Sequence, residues 1–212
     1  DCKGTRLLRR PGIGKQPLLV SLDLRHATQH ANRLRSQADV GHHTYADVLR
    51  AGADELQQVD GIGKVGTVAL KSVADAAERL VRAEVMNRPV LSSWDSLIDY
   101  LHISMAGHKT EFFRVLFLDV KNALIADEVQ QSGTVNHTPV YPREVVKRAL
   151  ELGASAIIMA HNHPSGDATP SRADIDITNE VRDAGARLGI TLHDHVIVVK
   201  SGCNSFKSLG LL

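Results

Sequence analysis

The chain has 212 residues, 43% hydrophobic and 23% charged, with a formal net charge of +1. These proportions suit a folded globular protein of one domain, or of a small domain plus a medium one, and give no global reason to expect nucleic acid binding. No apolar run approaches the roughly eighteen residues of a membrane span, no secretory core opens the chain, and Cys2 and Cys203 alone exclude a disulfide framework or a cysteine-rich metal knuckle, so cytoplasm is the default.

Residues 1–44 read as a poorly defined leader, interrupted by Pro11, Gly12, Gly14 and Pro17, with one helix near Leu24 to Leu34. Up to Ser36 the bases Lys3, Arg6, Arg9, Arg10, Lys15, Arg25, Arg33 and Arg35 face only Asp1 and Asp23, the composition of a solvated basic arm. His26 and His30 have the i, i+4 spacing of a helical metal pair, but nothing nearby completes a site.

Residues 45–88 form a second unit. Tyr45 to Ala51 and Ala53 to Gln58 read as short helices, and Val65 to Glu84 as a longer one rich in Ala, Val and Leu. Between them, Val59-Asp60-Gly61-Ile62-Gly63-Lys64 looks like the turn of a helix-hairpin-helix element. Two glycines there permit a tight turn, and the next helix start would aim N–H groups at a phosphate. Gly61, Gly63 and Lys64 are therefore the candidate DNA-backbone contacts; a glycine turn between two packed helices is the plainer alternative.

Asn87-Arg88-Pro89 ends that helix and opens a third unit, residues 89–212. Ser92 or Ser93 is placed to cap a helix from Trp94 to Leu101. Phe112 to Val120 is a buried strand with Leu124 to Gln131 as its hairpin partner. Pro142 starts a helix that runs to Leu152 and stops at Gly153. A strand from Ala154 to Ala160, a helix from Ser171 to Leu188 ended by Gly189, a strand from Ile190 to Lys200 and a last hairpin or strand complete the chain. This alternation predicts an α/β fold: a mixed β-sheet with helices on both faces.

The segment Ile157 to Asp174 narrows the chemistry most. His161 and His163 follow an apolar run at strand spacing, so both imidazoles leave its end in one direction. The turn residues Pro164-Ser165-Gly166 and a helix start at Pro170-Ser171 would carry Asp174 back over them. Two His nitrogens and one carboxylate oxygen, with a fourth position for water, are the ligands of a catalytic zinc site. Ser171-x-x-Asp174 also fits a capping box, and the two readings are compatible, since a capped first turn would hold the carboxylate still.

The spacing H-x-H, seven residues, S-x-x-D resembles the JAMM (MPN+) zinc peptidases, and H-N-H-P-S-G-D-x-x-P-S-x-x-D is similar, more narrowly, to the RadC family. Tyr141-Pro142-Arg143-Glu144-Val145-Val146 and Leu192-His193-Asp194-His195-Val196-Ile197 match that family's surroundings. The likeness is good from about Phe112 onward, moderate from Glu55 to Arg88, and fades over the first forty residues. It implies a single Zn²⁺ held by His161, His163 and Asp174, with Ser171 assisting a tetrahedral intermediate. It also implies a glutamate general base before the first core strand, where Glu111 stands; Glu128 and then Glu144 are the alternatives. Peptide or protein would be the substrate, in a groove that adds a strand along a sheet edge. A noncatalytic DNA-binding or DNA-repair accessory role is the competing function. Arg143 and Asn162 could line the entrance, although Asn162 should point away from the ligands into a hydrogen-bonding role. His193 and His195 suggest a polar cluster at the sheet end, with a place behind the zinc ligands.

Overall fold

Hydrophobic strands appear near where the apolar runs put them and join into one five-stranded sheet, although the first ends at Leu118 and leaves Val120 exposed, and the third begins at Ala156 rather than Ala154. The computed structural model describes residues 45–132 and 140–212. The leader at residues 1–44, with its expected helix and its His26–His30 pair, lies outside the described residues.

Three helices come first: α1 (Tyr45–Arg50), α2 (Ala53–Gln57) and the 22-residue α3 (Lys64–Val85). Val48, Ala51, Leu56, Val59, Ile62 and Leu70 form their own buried cluster. The turn between α2 and α3 needs Gly61, whose φ of 83° is unfavourable for any residue with a Cβ. Gly63 differs from the expectation: its backbone is extended (φ −85°, ψ −176°), and a Cβ there would meet nothing within 4 Å. Only the first glycine is conformationally required.

Next come α4 (Trp94–Met105), β1 (Phe112–Leu118), β2 (Leu124–Ser132), α5 (Pro142–Leu152), β3 (Ala156–Asn162), α6 (Arg172–Ala186), β4 (Thr191–Val199) and β5 (Gly202–Ser205). The sheet order is β2-β1-β3-β4-β5, antiparallel throughout except for the parallel pair β3–β4 that α6 connects. One face packs Leu97, Tyr100, Leu101 and Met105 of α4 against Leu116, Leu118, Ile158, Ala160, Val196 and Val198. The other packs Val145, Val146 and Ala149 of α5 and Val181 of α6 against Phe113, Val115, Phe117, Ile157, Met159 and Leu192. The expected mixed sheet covered on both faces is present. No described helix is long and apolar enough to cross a membrane.

Pro142 occupies the first turn of α5, and Gly153 ends it in a left-handed conformation (φ 64°), as the sequence predicts. Other ends moved. Helix α4 runs a turn beyond Leu101, and Ser93 precedes it without capping it, because its hydroxyl donates to Pro89 O instead. Strand β3 continues past Ala160 through His161 and Asn162, since pairing with Ile197 and Val198 of β4 outweighs the weak strand preference of His and Asn. The segment that ends α3 is stitched to the β1–β2 turn: Asn87 N donates to Leu124 O and Val90 N to Asn122 O.

A buried ionic knot ties these layers together. Asp127 of β2 accepts from Arg114 of β1 at 2.8 and 3.0 Å and from the Tyr100 hydroxyl of α4, and Arg82 of α3 approaches it at 3.5 Å. Burial, with the Asp127 carboxylate adding to it against the opposing Arg114 charge, pushes the Tyr100 phenol well above its usual range.

Candidate metal centre

The site grows from the end of β3, where regular alternation sends His161 toward the α6 face and Asn162 toward the other. His163 follows the strand and is fixed by its N–H donating to Val198 O at 3.0 Å. The turn through Gly166 (φ 86°) reverses the chain. Ser171 then caps α6 in a reciprocal box with Asp174. Ser171 donates to Asp174 Oδ2 from its backbone N (2.7 Å) and from its hydroxyl (2.6 Å), while Asp174 N donates to Ser171 Oγ at 3.1 Å. Capping box and ligand placement are one arrangement here, because the box immobilises the carboxylate against the histidines.

The three expected ligands do converge. His161 Nε2 and His163 Nε2 lie 2.9 Å apart. Asp174 Oδ1 is 3.3 Å from the first, and Asp174 Oδ2 is 3.7 Å from the second. Glu111, His161 and His163 each offer one ligand-type atom within 4.8 Å of the other two.

The hydrogen-bond network sets the tautomers. A carbonyl can only accept, so His163 Nδ1, 2.7 Å from Asp167 O, carries a proton, and the neutral ring has its lone pair on Nε2. The Thr178 hydroxyl gives its proton to Asp174 O at 2.5 Å, so it accepts from His195 Nδ1–H at 2.6 Å. His195 Nε2 is then bare and accepts from His161 Nδ1–H at 2.8 Å. In the neutral ring His161 Nε2 is then bare as well. Burial, with the neighbouring His161 adding to it, holds His195 well below the usual imidazole range, which keeps it neutral as this chain requires.

With both rings neutral, two imidazole lone pairs and a carboxylate point at one another, an arrangement suited to a cation, be it a proton or a metal ion. The donor set fits zinc: two nitrogens and one oxygen, each braced from behind. Burial alone would raise the Asp174 carboxyl, but the adjoining His161 and His163 imidazoles, and the hydrogen bonds from Ser171, outweigh it and hold the group well below the usual carboxylate range. Asp174 in turn is the main cause that raises His163, against the opposing effect of burial.

The other candidates fall away from this centre. Glu128 is gripped by Arg148 at 2.7 to 3.1 Å, and Glu144 pairs with Arg143 at the surface. Arg143 holds its guanidinium over the Tyr141 ring, 5.8 Å from its centre. His193 and His195 part company: a bulge opposite Ile157 and Ile158 sends His193 to Asn122 Oδ1 (2.6 Å) while His195 backs the site. Thr178 was missed, although its place four residues beyond Asp174 puts both on one helix face.

Fold and donor set together define a JAB-type domain of the JAMM-like kind. The chain belongs to the RadC family: residues 91–211 match the family described as RadC-like JAB domain. A UPF0758 protein of Rhodobacter capsulatus is 57% identical over 169 residues, covering 80% of this chain and 79% of its own length. Another, from Ruegeria pomeroyi, is 56% identical over 165 residues, covering 78% and 74%.

Proposed function

We propose that this chain is a zinc-dependent amide hydrolase acting on a peptide or protein in the cytoplasm. The observation that carries the proposal is the convergence of His161 Nε2 and His163 Nε2 on the Asp174 carboxylate, with a ligand-type atom of Glu111 within 4.8 Å of those of both histidines. A zinc ion with an open position supplies a bound water of pKa about 7 and polarises a carbonyl. His161, His163 and Asp174 would hold it. Glu111, at the mouth of β1, accepts the proton of the attacking water and delivers it to the leaving amine. Ser171 now donates its hydroxyl proton to Asp174; to steady the oxyanion of a tetrahedral intermediate it turns that proton toward the substrate.

The test is cleavage of a mixed peptide library by zinc-loaded protein and by Glu111→Gln. Cleavage that falls about 10²–10⁴-fold in the variant, with zinc retained, supports the reading. Undiminished cleavage in Glu111→Gln removes Glu111 as the base, and no cleavage by the loaded wild type removes the hydrolase.

A second reading, a DNA-linked accessory role, draws on α3. Its first residue is Lys64, Gly63 provides no side-chain cap, and Gly61 shapes the approach, which leaves N–H groups for a phosphate. Salt-sensitive binding of duplex DNA that weakens in Lys64→Ala, without cleavage of any peptide, favours this reading.

A further inference from the structure

Asn162 stands between the two histidines in the chain, yet its side chain serves the opposite face of the sheet. It is 2% exposed. Its Oδ1 accepts from Phe112 N at 2.9 Å, and its Nδ2 donates to Thr110 O at 3.1 Å, with His108 O farther off at 3.5 Å. The orientation of the amide is unambiguous, because an N–H can only give and a carbonyl can only accept.

Phe112 and Thr110 are the residues on either side of Glu111. Regular pairing of β1 with β3 stops at Phe113 opposite His161, one residue short of the point where Asn162 would face Phe112. The side-chain amide replaces that missing rung and extends its hold to the far side of Glu111. The backbone that presents Glu111 is therefore fastened, before and after, to the residue flanked by both ligands. A twist or shift of the β3 terminus carries the histidines and the glutamate together.

We propose that Asn162 is the positioning residue for Glu111, an inference that rests on reading Glu111 as the proton-transfer group. The amide is suited to the task because it offers one donor and one acceptor to two backbone groups of opposite kind. An aspartate keeps the bond from Phe112 N but sets a carboxylate oxygen against Thr110 O. An alanine leaves both backbone groups unpaired.

The test uses the full chain loaded with cobalt(II), a paramagnetic stand-in for zinc, and follows the hyperfine shifts of the Glu111 side-chain resonances. Asn162→Asp and Asn162→Ala are compared with wild type, so that a folding failure of the alanine variant leaves the aspartate variant informative. Both should bind one metal ion, because the ligands lie on the other face, and the Glu111 shifts should shrink while those of His161 and His163 persist. In peptide cleavage kcat should fall on the order of 10²-fold with little change in KM. In the Glu111→Gln background the same substitutions should have no further effect on rate. Unchanged Glu111 shifts in Asn162→Asp, or a rate loss that simply adds to that of Glu111→Gln, overturns the positioning role. Absence of hyperfine shifts at Glu111 in the wild type instead overturns the reading of Glu111 itself, and the positioning role with it.

Discussion

His161 Nδ1 lies 2.8 Å from His195 Nε2, and both rings are buried. Through His195 and the Thr178 hydroxyl, this contact runs back to the carbonyl of Asp174, so two of the candidate ligands are joined behind the site as well as in front of it. The consequence is directional: each member has one proton to give, and the series ends with a lone pair on His161 Nε2.

Removing the relay should therefore weaken metal binding without touching a ligand. His195→Ala is expected to lower zinc affinity about 10–100-fold, and Thr178→Val to act in the same direction by taking away the acceptor that fixes the His195 tautomer. His195→Gln, which can still accept from His161, should recover part of the loss. Competition against a chelator of known affinity reads all three, and wild-type affinity in His195→Ala refutes the relay.

Proton and metal compete at this centre, and the signs can be worked out. His163 is raised above its ordinary value of about 6.5, chiefly by Asp174, so in metal-free protein its contribution to stability is fully present below about pH 6.5 and is lost as pH rises through the raised value. Asp174 is depressed, so its contribution is present above about pH 3.9 and is lost as pH falls toward its lowered value. Chelator-treated protein should melt at the highest temperature between these limits. Zinc affinity should move oppositely, falling as acid protonates His163. A metal-free melting temperature that climbs from pH 6.5 to 8.5 contradicts the assignment.

The two glycines of the α2–α3 turn should respond unequally. Gly61→Ala places a Cβ at positive φ and is expected to destabilise by about 1–2 kcal/mol, whereas Gly63→Ala should be nearly neutral. Denaturant titration separates them, and equal losses refute the distinction.

Asp127 is buried against Arg114 and Tyr100, so its removal strands a charge. Asp127→Ala is expected to cost about 3–5 kcal/mol, a fall in melting temperature of roughly 6–20 °C. A drop within a degree or two shows that the ion pair is incidental.

Much of this was legible from local rules, and the failures have physical causes. Pro142, Gly153 and the Ser171–Asp174 box mark helix ends through backbone chemistry that needs no distant partner, and each acts as expected. The end of β3 does need a partner, since only Val198 beside Asn162 reveals that the strand continues. Ser93 has the right identity for a cap but found Pro89 O first. The parting of His193 from His195 depends on a bulge against β3 that no alternation within β4 encodes. The convergence of His161, His163 and Asp174 could be read because they are near in sequence, and the alternation in β4 pointed to His195 behind them; the part of Thr178 could not, because it depends on how α6 meets β4.

Metal content of the purified protein tests the central claim most directly. Mass spectrometry under native conditions should find one zinc ion per chain in the wild type, and loss of that ion in Asp174→Ala and in His161→Ala while Glu111→Gln keeps it. A wild type that takes up no zinc, or a full complement of zinc in Asp174→Ala, would show that these side chains meet for some reason other than holding a metal.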